Sequence, residues 1–280
     1  MLRRLVVISR PVLWVNTIGT TVMGMWLAGF LWDWRVLPIL IWVTLPFNLL
    51  IYGINDIFDQ ETDNINARKG GYEGAHISPS EVKPIWWGVL LTNLPFLAYF
   101  ALTLPWQATA WMLAYALFFT FYSAPPLRLK ARAYLDSFSN TDYAFPLAFV
   151  PLALGKEPIW LAVFALMAWS IAKHAYDAIQ DIPQDSDTGI VTTAVHLGVK
   201  KTLMWCAFWW AISTVLFAMV NIPVAIVNLA ISGYLVLKVW KNPTPKVAHD
   251  LYKHSIAFPY LAGAVAGVQL VVAITFGFYQ

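Results

Sequence analysis

Charged residues are scarce in this chain of 280 residues. Asp, Glu, Lys and Arg make up 12% of it, against about 25% in soluble domains, and 59% of the residues are hydrophobic. This composition excludes an ordinary soluble domain and predicts a protein embedded in the lipid bilayer. The net charge is only +3, which gives no sign of a nucleic-acid partner. The single cysteine, Cys206, excludes a disulfide within the chain.

Long apolar segments account for most of the sequence. None of them alternates with period two as barrel strands do, so helices are expected. No small-residue cleavage site follows the first segment, which predicts a retained helix rather than a signal peptide. The sequence predicts an all-α integral membrane protein of one domain, 1–280, with about nine transmembrane helices around a central cavity, at 11–31, 36–57, 84–103, 106–122, 141–155, 158–180, 201–220, 222–240 and 255–278.

The loops between these segments alternate between short and long, and the basic residues follow the long ones. Of the 18 Lys and Arg residues, only Arg35 and Lys156 fall at the short loops. Because positively charged loops stay inside, we expect the N-terminus and the long loops to be cytoplasmic in a protein of the cell membrane. The C-terminus is then expected on the opposite side.

Two acidic series lie at the predicted cytoplasmic ends of the second and sixth segments. Each repeats every four residues, which places its members on one face of a helix, one turn apart. Pro183 predicts the end of the helix that carries the second acidic series, so Asp185 and Asp187 are expected in a loop. The offset of 122 residues suggests two related halves, 1–140 and 141–280. The first series is Asn55, Asp56, Asp59 and Asp63, and the second is Asp177, Asp181 and Asp185.

Clustered carboxylates repel one another and are costly to remove from water. One such cluster fits a solvated helix end, but two with matching spacing on the same face favour a shared cation. Mg²⁺ suits them because it binds through one or two carboxylates, waters and substrate phosphates, so the substrate is expected to carry a diphosphate. Basic side chains near the motifs suit phosphate oxygens, although each alone also fits a cytoplasmic anchor. They are Arg68, Arg128, Lys130 and Lys173.

These residues resemble the UbiA superfamily of intramembrane prenyltransferases. The matching strings are Asn55-Asp56-x-x-Asp59-x-x-x-Asp63, the series Asp177/Asp181/Asp185, and Tyr122-Ser-Ala-Pro-Pro-Leu-Arg-Leu-Lys130. The resemblance implies a helical bundle in which both acidic motifs hold two Mg²⁺ ions and a prenyl diphosphate. It implies catalytic roles for Asp56, Asp59 and Asp181, and a substrate-binding role for Tyr122. By the same likeness, Arg68, Arg128, Lys130 and Lys173 would bind the phosphate oxygens.

A narrower resemblance is to the lycopene elongases of actinobacteria and haloarchaea. It rests on the strings Arg10-Pro-Val-Leu-Trp-Val-Asn-Thr17, Asn66-Ala-Arg-Lys-Gly-Gly-Tyr-Glu-Gly-Ala75 and Leu135-Asp-Ser-Phe-Ser-Asn140. It implies transfer of dimethylallyl units from dimethylallyl diphosphate to the ends of lycopene, a hydrophobic polyene, with water added in some members. Asn16, a polar residue in the first helix, either bonds a neighbouring helix or touches substrate.

The chemistry would release diphosphate and leave an allylic cation, which a double bond of the acceptor attacks in a dry cavity. No His or carboxylate within the apolar helices is an evident base, so the released diphosphate is the expected proton acceptor. Prenylation of an aromatic quinone precursor stays open as an alternative. A transporter is disfavoured because its ionisable groups would lie near the midplane. A purely structural membrane protein would have no use for two carboxylate clusters.

Overall fold

In a computed structural model, the residues described are 1–60 and 76–277. Within these ranges the chain is helical throughout, as the sequence predicts. Its α-helices are α1 (Leu2–Ile8), α2 (Trp14–Leu27), α3 (Leu37–Trp42), α4 (Leu45–Phe58), α5 (Pro79–Thr103), α6 (Trp106–Ser123), α7 (Leu135–Ser139), α8 (Pro146–Ala153), α9 (Trp160–Asp187), α10 (Thr193–Ala218), α11 (Ile222–Lys241), α12 (Pro245–Asp250), α13 (Tyr252–Ser255) and α14 (Ala257–Thr275).

The helices form two compact units. The first comprises Met1–Arg128, apart from residues 61–75, together with Phe145–Pro158. The second comprises Leu129–Ala144 and the described chain from Ile159 onward. The first acidic motif therefore belongs to the first unit and the second motif to the second. That the halves form a repeat stays a prediction.

Several helices are suited to a membrane. In the part of the chain that is described, five helical stretches have the length and hydropathy of a span, and α1 with the segment Pro11–Leu27, bent by 47°, would make a sixth. The five are Trp34–Phe58, which contains α3 and α4, Pro79–Thr103, Thr193–Ala218, Ile222–Lys241, and Tyr252–Thr275, which contains α13 and α14. The predicted segments at 106–122 and 158–180 also form helices, α6 and α9. The segment 141–155 does not form one spanning helix. It contains a 3₁₀ turn, Asn140–Ala144, and then α8, whose eight residues rise only about 12 Å against a bilayer core of about 30 Å.

The second predicted segment is interrupted at Val43 and Thr44, between α3 and α4. Pro46 has no N–H to donate and its ring clashes with the carbonyl four residues earlier, so a straight helix cannot continue through it. The Asn48 amide nitrogen lies 2.8 Å from the Val43 carbonyl oxygen and 3.0 Å from the Thr17 hydroxyl. The first bond satisfies a backbone carbonyl group at the break, and the second joins α4 to α2.

Aromatic rings fill the core of the first unit. Trp42 is fully buried and donates its indole N–H to the Asn93 amide oxygen at 3.0 Å. The Phe47 and Tyr115 rings stack with centroids 4.2 Å apart. Aromatic stacking of this kind adds about 0.5–1.5 kcal/mol to the burial of the rings themselves. The α4 helix that carries the first motif is thereby fixed against its neighbours.

In the second unit, α9 and α10 form the core. Tyr176 and Trp210 pack together with ring centroids 5.6 Å apart, and the Ser213 hydroxyl bonds the Ala165 carbonyl oxygen at 2.8 Å. The α10 helix is broken at Gly198, whose φ of 70° lies in the left-handed region that favours glycine. The helix resumes directly after Gly198, a few residues before residue 201, where the sequence predicts a helix start.

Candidate active site

The first motif lies at the C-terminal end of α4. Asn55 and Asp56 occupy its last turn, and Asp59 is the residue that caps it. Asp56 is fully buried and Asp59 is 8% exposed. Carboxylates are disfavoured here, because the carbonyl end of a helix carries the negative end of its dipole. Asp63 and Arg68, which the sequence assigns to the same site, lie outside the described residues.

Asn55 is oriented by the end of the neighbouring helix. Its amide nitrogen donates to the Ser123 hydroxyl at 3.0 Å, and Ser123, the last residue of α6, is 1% exposed. Because the nitrogen is directed at Ser123, the amide oxygen is the atom of Asn55 that could bind a cation. An amide oxygen is a suitable ligand for a hard cation. Tyr122, predicted to bind substrate, is the half-buried residue beside Ser123.

The second motif lies at the C-terminal end of α9, and here one prediction was wrong. Pro183 does not end the helix, which continues to Asp187, so Asp185 is helical. The Thr188 hydroxyl donates hydrogen bonds to the carbonyl oxygens of Gln184 and Asp185, each at 3.1 Å. The Ile190 N–H also donates to the Asp185 carbonyl oxygen, at 2.9 Å. This capping stabilises the turn beyond the proline.

The continuous helix places Asp177, Asp181 and Asp185 one turn apart on one face. Asp177 is held at both oxygens: Lys173 forms an ion pair with one, and the Ser255 hydroxyl donates to the other at 3.2 Å. The predicted phosphate ligand Lys173 therefore bonds the motif itself in this structure. Whether it also binds phosphate stays a prediction.

Asp185 lies beyond the predicted membrane segment 158–180. Burial, followed by the charge of Asp181, raises the pKa of Asp185 to about 7, although the Thr192 hydroxyl and Lys130 act in the opposite direction. The carboxylate is therefore costly to ionise without a further positive charge. A divalent cation would supply one, so the donor set fits the Mg²⁺ that the sequence predicts.

The basic residues of the loop after α6 are partly withdrawn from solvent. Arg128, in the first unit, has a φ of 41°, and its buried Nε has no hydrogen-bond partner among the described residues. Lys130, in the second unit, is 8% exposed. Buried guanidinium and ammonium groups are stable where anionic oxygens bind them, so both side chains suit a phosphate.

Among residues 1–60 and 76–277, no three Asp, Glu, His or Cys side chains come together to hold a metal ion by themselves. Asn16 is exposed on α2, and the buried polar contact between helices is made by Thr17, whose hydroxyl bonds the Val43 carbonyl oxygen at 2.7 Å. That Asn16 touches substrate stays a prediction.

Sequence reasoning gave no role to Arg10, Asp136 or Asp142, which the structure buries or pairs. Arg10 pairs with Asp56, and Asp136 lies 4.0 Å from the ring of His174. Asp142 lies in the predicted apolar segment 141–155, where no carboxylate was judged an evident base, and it is 2% exposed. The acidic residue in the apolar segment 141–155 was a signal that could have been used. The contacts of Arg10 and Asp136 depend on tertiary structure and left no local signal.

Comparison with known proteins places these features in a family. The sequence profile of the UbiA prenyltransferase family matches residues 17–261. A lycopene elongase/hydratase of Halobacterium salinarum is 35% identical over 235 residues, covering 82% of this chain and 84% of that protein. A second lycopene elongase/hydratase, from Corynebacterium glutamicum, is 27% identical over 278 residues, which cover 96% of this chain and 97% of that protein.

The fold also matches solved structures. A UbiA homolog from Archaeoglobus fulgidus bound to DMAPP and Mg²⁺ superposes with a TM-score of 0.70, covering 94% of this chain and 99% of that one at 19% identity. A UbiA homolog from Aeropyrum pernix, without ligand, gives a TM-score of 0.68 at 16% identity. The match covers 92% of this chain and 98% of that one. The all-α, multi-pass membrane fold expected from the sequence is thereby confirmed.

Proposed function

The chain belongs to the UbiA prenyltransferase family, and from that premise we propose that it is a Mg²⁺-dependent lycopene elongase. It would transfer a dimethylallyl group from dimethylallyl diphosphate to an end of lycopene or a related carotenoid, in the synthesis of fifty-carbon carotenoids. The observation that carries the proposal is the 35% identity to a lycopene elongase/hydratase over 82% of the chain. The UbiA homolog bound to DMAPP and Mg²⁺ supports the choice of donor and cofactor.

Each motif contributes oxygen ligands from one helix end. In the first, Asn55 and Asp59 lie on one face of α4, and Asp63 is their expected continuation. In the second, Asp181 and Asp185 lie on one face of α9. When bound, Mg²⁺ neutralises the diphosphate and helps it to leave. Arg128 and Lys130 would hold the phosphate oxygens by charge-assisted hydrogen bonds, as would Arg68.

The bond that breaks joins the dimethylallyl carbon to the diphosphate oxygen, which keeps the electron pair. A terminal double bond of the acceptor then forms the new carbon–carbon bond and becomes a tertiary cation. Loss of a proton to the diphosphate restores a double bond, whereas capture of water gives an alcohol. Apolar helices around the reaction would exclude bulk water, and aromatic faces would stabilise the cation.

We place the N-terminus and the mouth of the site in the cytoplasm. The support is the excess of Lys and Arg on the long loops. Cysteine-accessibility labelling of Ser80→Cys and of Trp34→Cys, in Cys206→Ala protein, tests the orientation. Ser80 should react only after the membrane is permeabilised, and Trp34 should react before.

The test of function is product analysis in a lycopene-producing bacterial host. The intact protein should extend lycopene by five-carbon units, and Asp59→Ala and Asp181→Ala should abolish extension. Asp250→Ala is the matched control, because Asp250 is an exposed acid whose only described ion pair is with Lys246. It should extend lycopene like the intact protein.

Purified protein should lose activity on chelation and regain it with Mg²⁺. Untouched lycopene with a correctly inserted protein would exclude the carotenoid acceptor, and aromatic quinone precursors would then be assayed. Hydroxylated products without the alkene would identify water capture as the final step.

A further inference from the structure

Arg10 links the N-terminal helix to the first acidic motif. It lies between α1 and α2, where the chain bends by 47°, and has φ 51° and ψ 69°. Its Nη2 is 2.8 Å from Asp56 Oδ1, and its guanidinium lies 4.4 Å from the centre of the Tyr52 ring. Tyr52 and Asp56 are one turn apart on α4, so Arg10 contacts one side of that helix at two successive turns.

Asp56 lies toward that side of the helix and Asn55 away from it. Successive residues of a helix are rotated by about 100°, so Asp56 is about 100° from Asn55 and about 60° from Asp59, whereas Asn55 and Asp59 are about 40° apart. Asn55 is aligned by Ser123, and Asp56 by Arg10. The two neighbouring residues are thus held by different parts of the unit.

We propose that Arg10 is a positioning residue for the first acidic motif, and that Asp56 is its buried counter-ion rather than a ligand of Mg²⁺. This rests on the proposed function only in that Mg²⁺ and a diphosphate are what the motif binds. Asp56 is fully buried and the Arg10 side chain is 13% exposed. A charge this deeply buried needs a partner of opposite sign, and removing that partner is more damaging than removing both charges.

The position of Arg10 is itself fixed by α1. Arg4 pairs with Glu81 at 2.7 Å, and Leu5 packs at Gly88, where a Cβ would lie 3.0 Å from its side chain. Both contacts join α1 to α5, and neither involves a residue of the motif. Arg4 therefore offers a matched control, since it is the same type of residue on the same segment and pairs with an acid that is not part of the site.

The first experiment is a double-mutant cycle on the full chain in detergent with EDTA, so that no metal contributes. Thermal unfolding is measured for Arg10→Ala, Asp56→Asn and the double variant. Arg10→Ala should lower Tm more than the double variant does, because only the single variant keeps the buried Asp56 charge while it removes the guanidinium of Arg10. Additive shifts would overturn the pairing.

The second experiment measures binding of Mn²⁺ in the presence of inorganic diphosphate. Asp56→Asn should bind within about threefold of the intact protein, whereas Asp59→Asn should lose about tenfold or more. Arg10→Ala should also weaken Mn²⁺ binding, and Arg10→Lys should restore part of it. Arg4→Ala should lower Tm without changing Mn²⁺ affinity, which separates positioning of the motif from general stability.

Equal losses for Asp56→Asn and Asp59→Asn, with Mn²⁺ binding unchanged in Arg10→Ala, would make Asp56 a ligand and overturn the proposal. An intact protein that binds neither Mn²⁺ nor diphosphate would refute the proposed function instead. The cycle in EDTA would in that case still decide whether Arg10 and Asp56 form a coupled pair.

Discussion

Asp136 should be among the most important side chains for the stability of the second unit. It is fully buried on α7 and accepts two hydrogen bonds from Thr193, one from the backbone N–H at 3.0 Å and one from the hydroxyl. The Thr193 hydroxyl in turn accepts the Tyr134 N–H at 2.7 Å. Because Thr193 begins α10, the carboxylate also lies at the positive end of that helix dipole.

The magnitude follows from these bonds. A hydrogen bond to a charged group contributes about 1.5–3 kcal/mol, so Asp136→Ala should reduce the free energy of unfolding by about 3–6 kcal/mol. At about 2–4 °C per kcal/mol, Tm should fall by roughly 10 °C. Asp136→Asn should lose less, because its amide oxygen can still accept the Thr193 N–H.

The assay is thermal unfolding of the purified protein in detergent, followed by tryptophan fluorescence. Asp250→Ala is the control, since Asp250 is exposed and its pair with Lys246 should contribute about 0.5 kcal/mol or less. Thr193→Val should reproduce part of the loss, and combining it with Asp136→Asn should cost less than the sum of the two. A Tm for Asp136→Ala within about 2 °C of the intact protein would refute the reasoning.

Two further predictions concern close contacts in the first unit. A Cβ at Gly24 would lie 2.6 Å from the Pro146 carbonyl oxygen, so Gly24→Ala should lower the free energy of unfolding, measured by thermal unfolding, by about 1–3 kcal/mol. Gly19 lies on the same helix and a Cβ there would have nothing within 4 Å, so Gly19→Ala should not destabilise the protein. Equal effects of the two substitutions would contradict this reasoning. Ser123→Ala removes the acceptor that orients Asn55, so the Mg²⁺ concentration that gives half-maximal prenyl transfer should rise about tenfold. Ser123→Thr is the control, because it keeps a hydroxyl. An unchanged Mg²⁺ dependence in Ser123→Ala would contradict the prediction.

Hydropathy predicted most of the helices because lipid leaves the backbone no other way to satisfy its polar groups. It failed at 141–155, where apolar character has another cause. Nearly every residue of α8 is buried within the protein, so its side chains are apolar without the helix having to cross a bilayer. Composition cannot distinguish an apolar surface that faces lipid from one that faces other helices.

The error at Pro183 has a different origin. A proline inside a helix removes one hydrogen bond and introduces a clash, which correctly predicts a cost but not where the helix ends. The end is set four residues later by the bonds of Thr188 and Ile190 to the last carbonyl oxygens. The spacing of the acids every four residues was the better indicator, because it has a structural meaning only if the helix continues through the proline.

The chemical identity of the motifs could be predicted from sequence, but their support could not. Arg10 and Asp56 are 46 residues apart, and Asn55 and Ser123 are 68 apart, so neither contact leaves a local pattern. Such contacts depend on how helices pack. The strings that resemble lycopene elongases did include Arg10 and Asp136, but they gave no physical role to either residue.

The two motifs share an arrangement that bears on the cation binding proposed for them. Each places acids at the negative end of a helix dipole, and each has one acid paired with a basic residue of its own unit: Asp56 with Arg10, and Asp177 with Lys173. Each unit can therefore fold with part of its acidic charge already compensated. Asp185 is different, because it keeps a raised pKa despite the nearby Lys130. A carboxylate in that state is stabilised when its positive charge arrives with the ligand, which is what binding of a metal diphosphate provides.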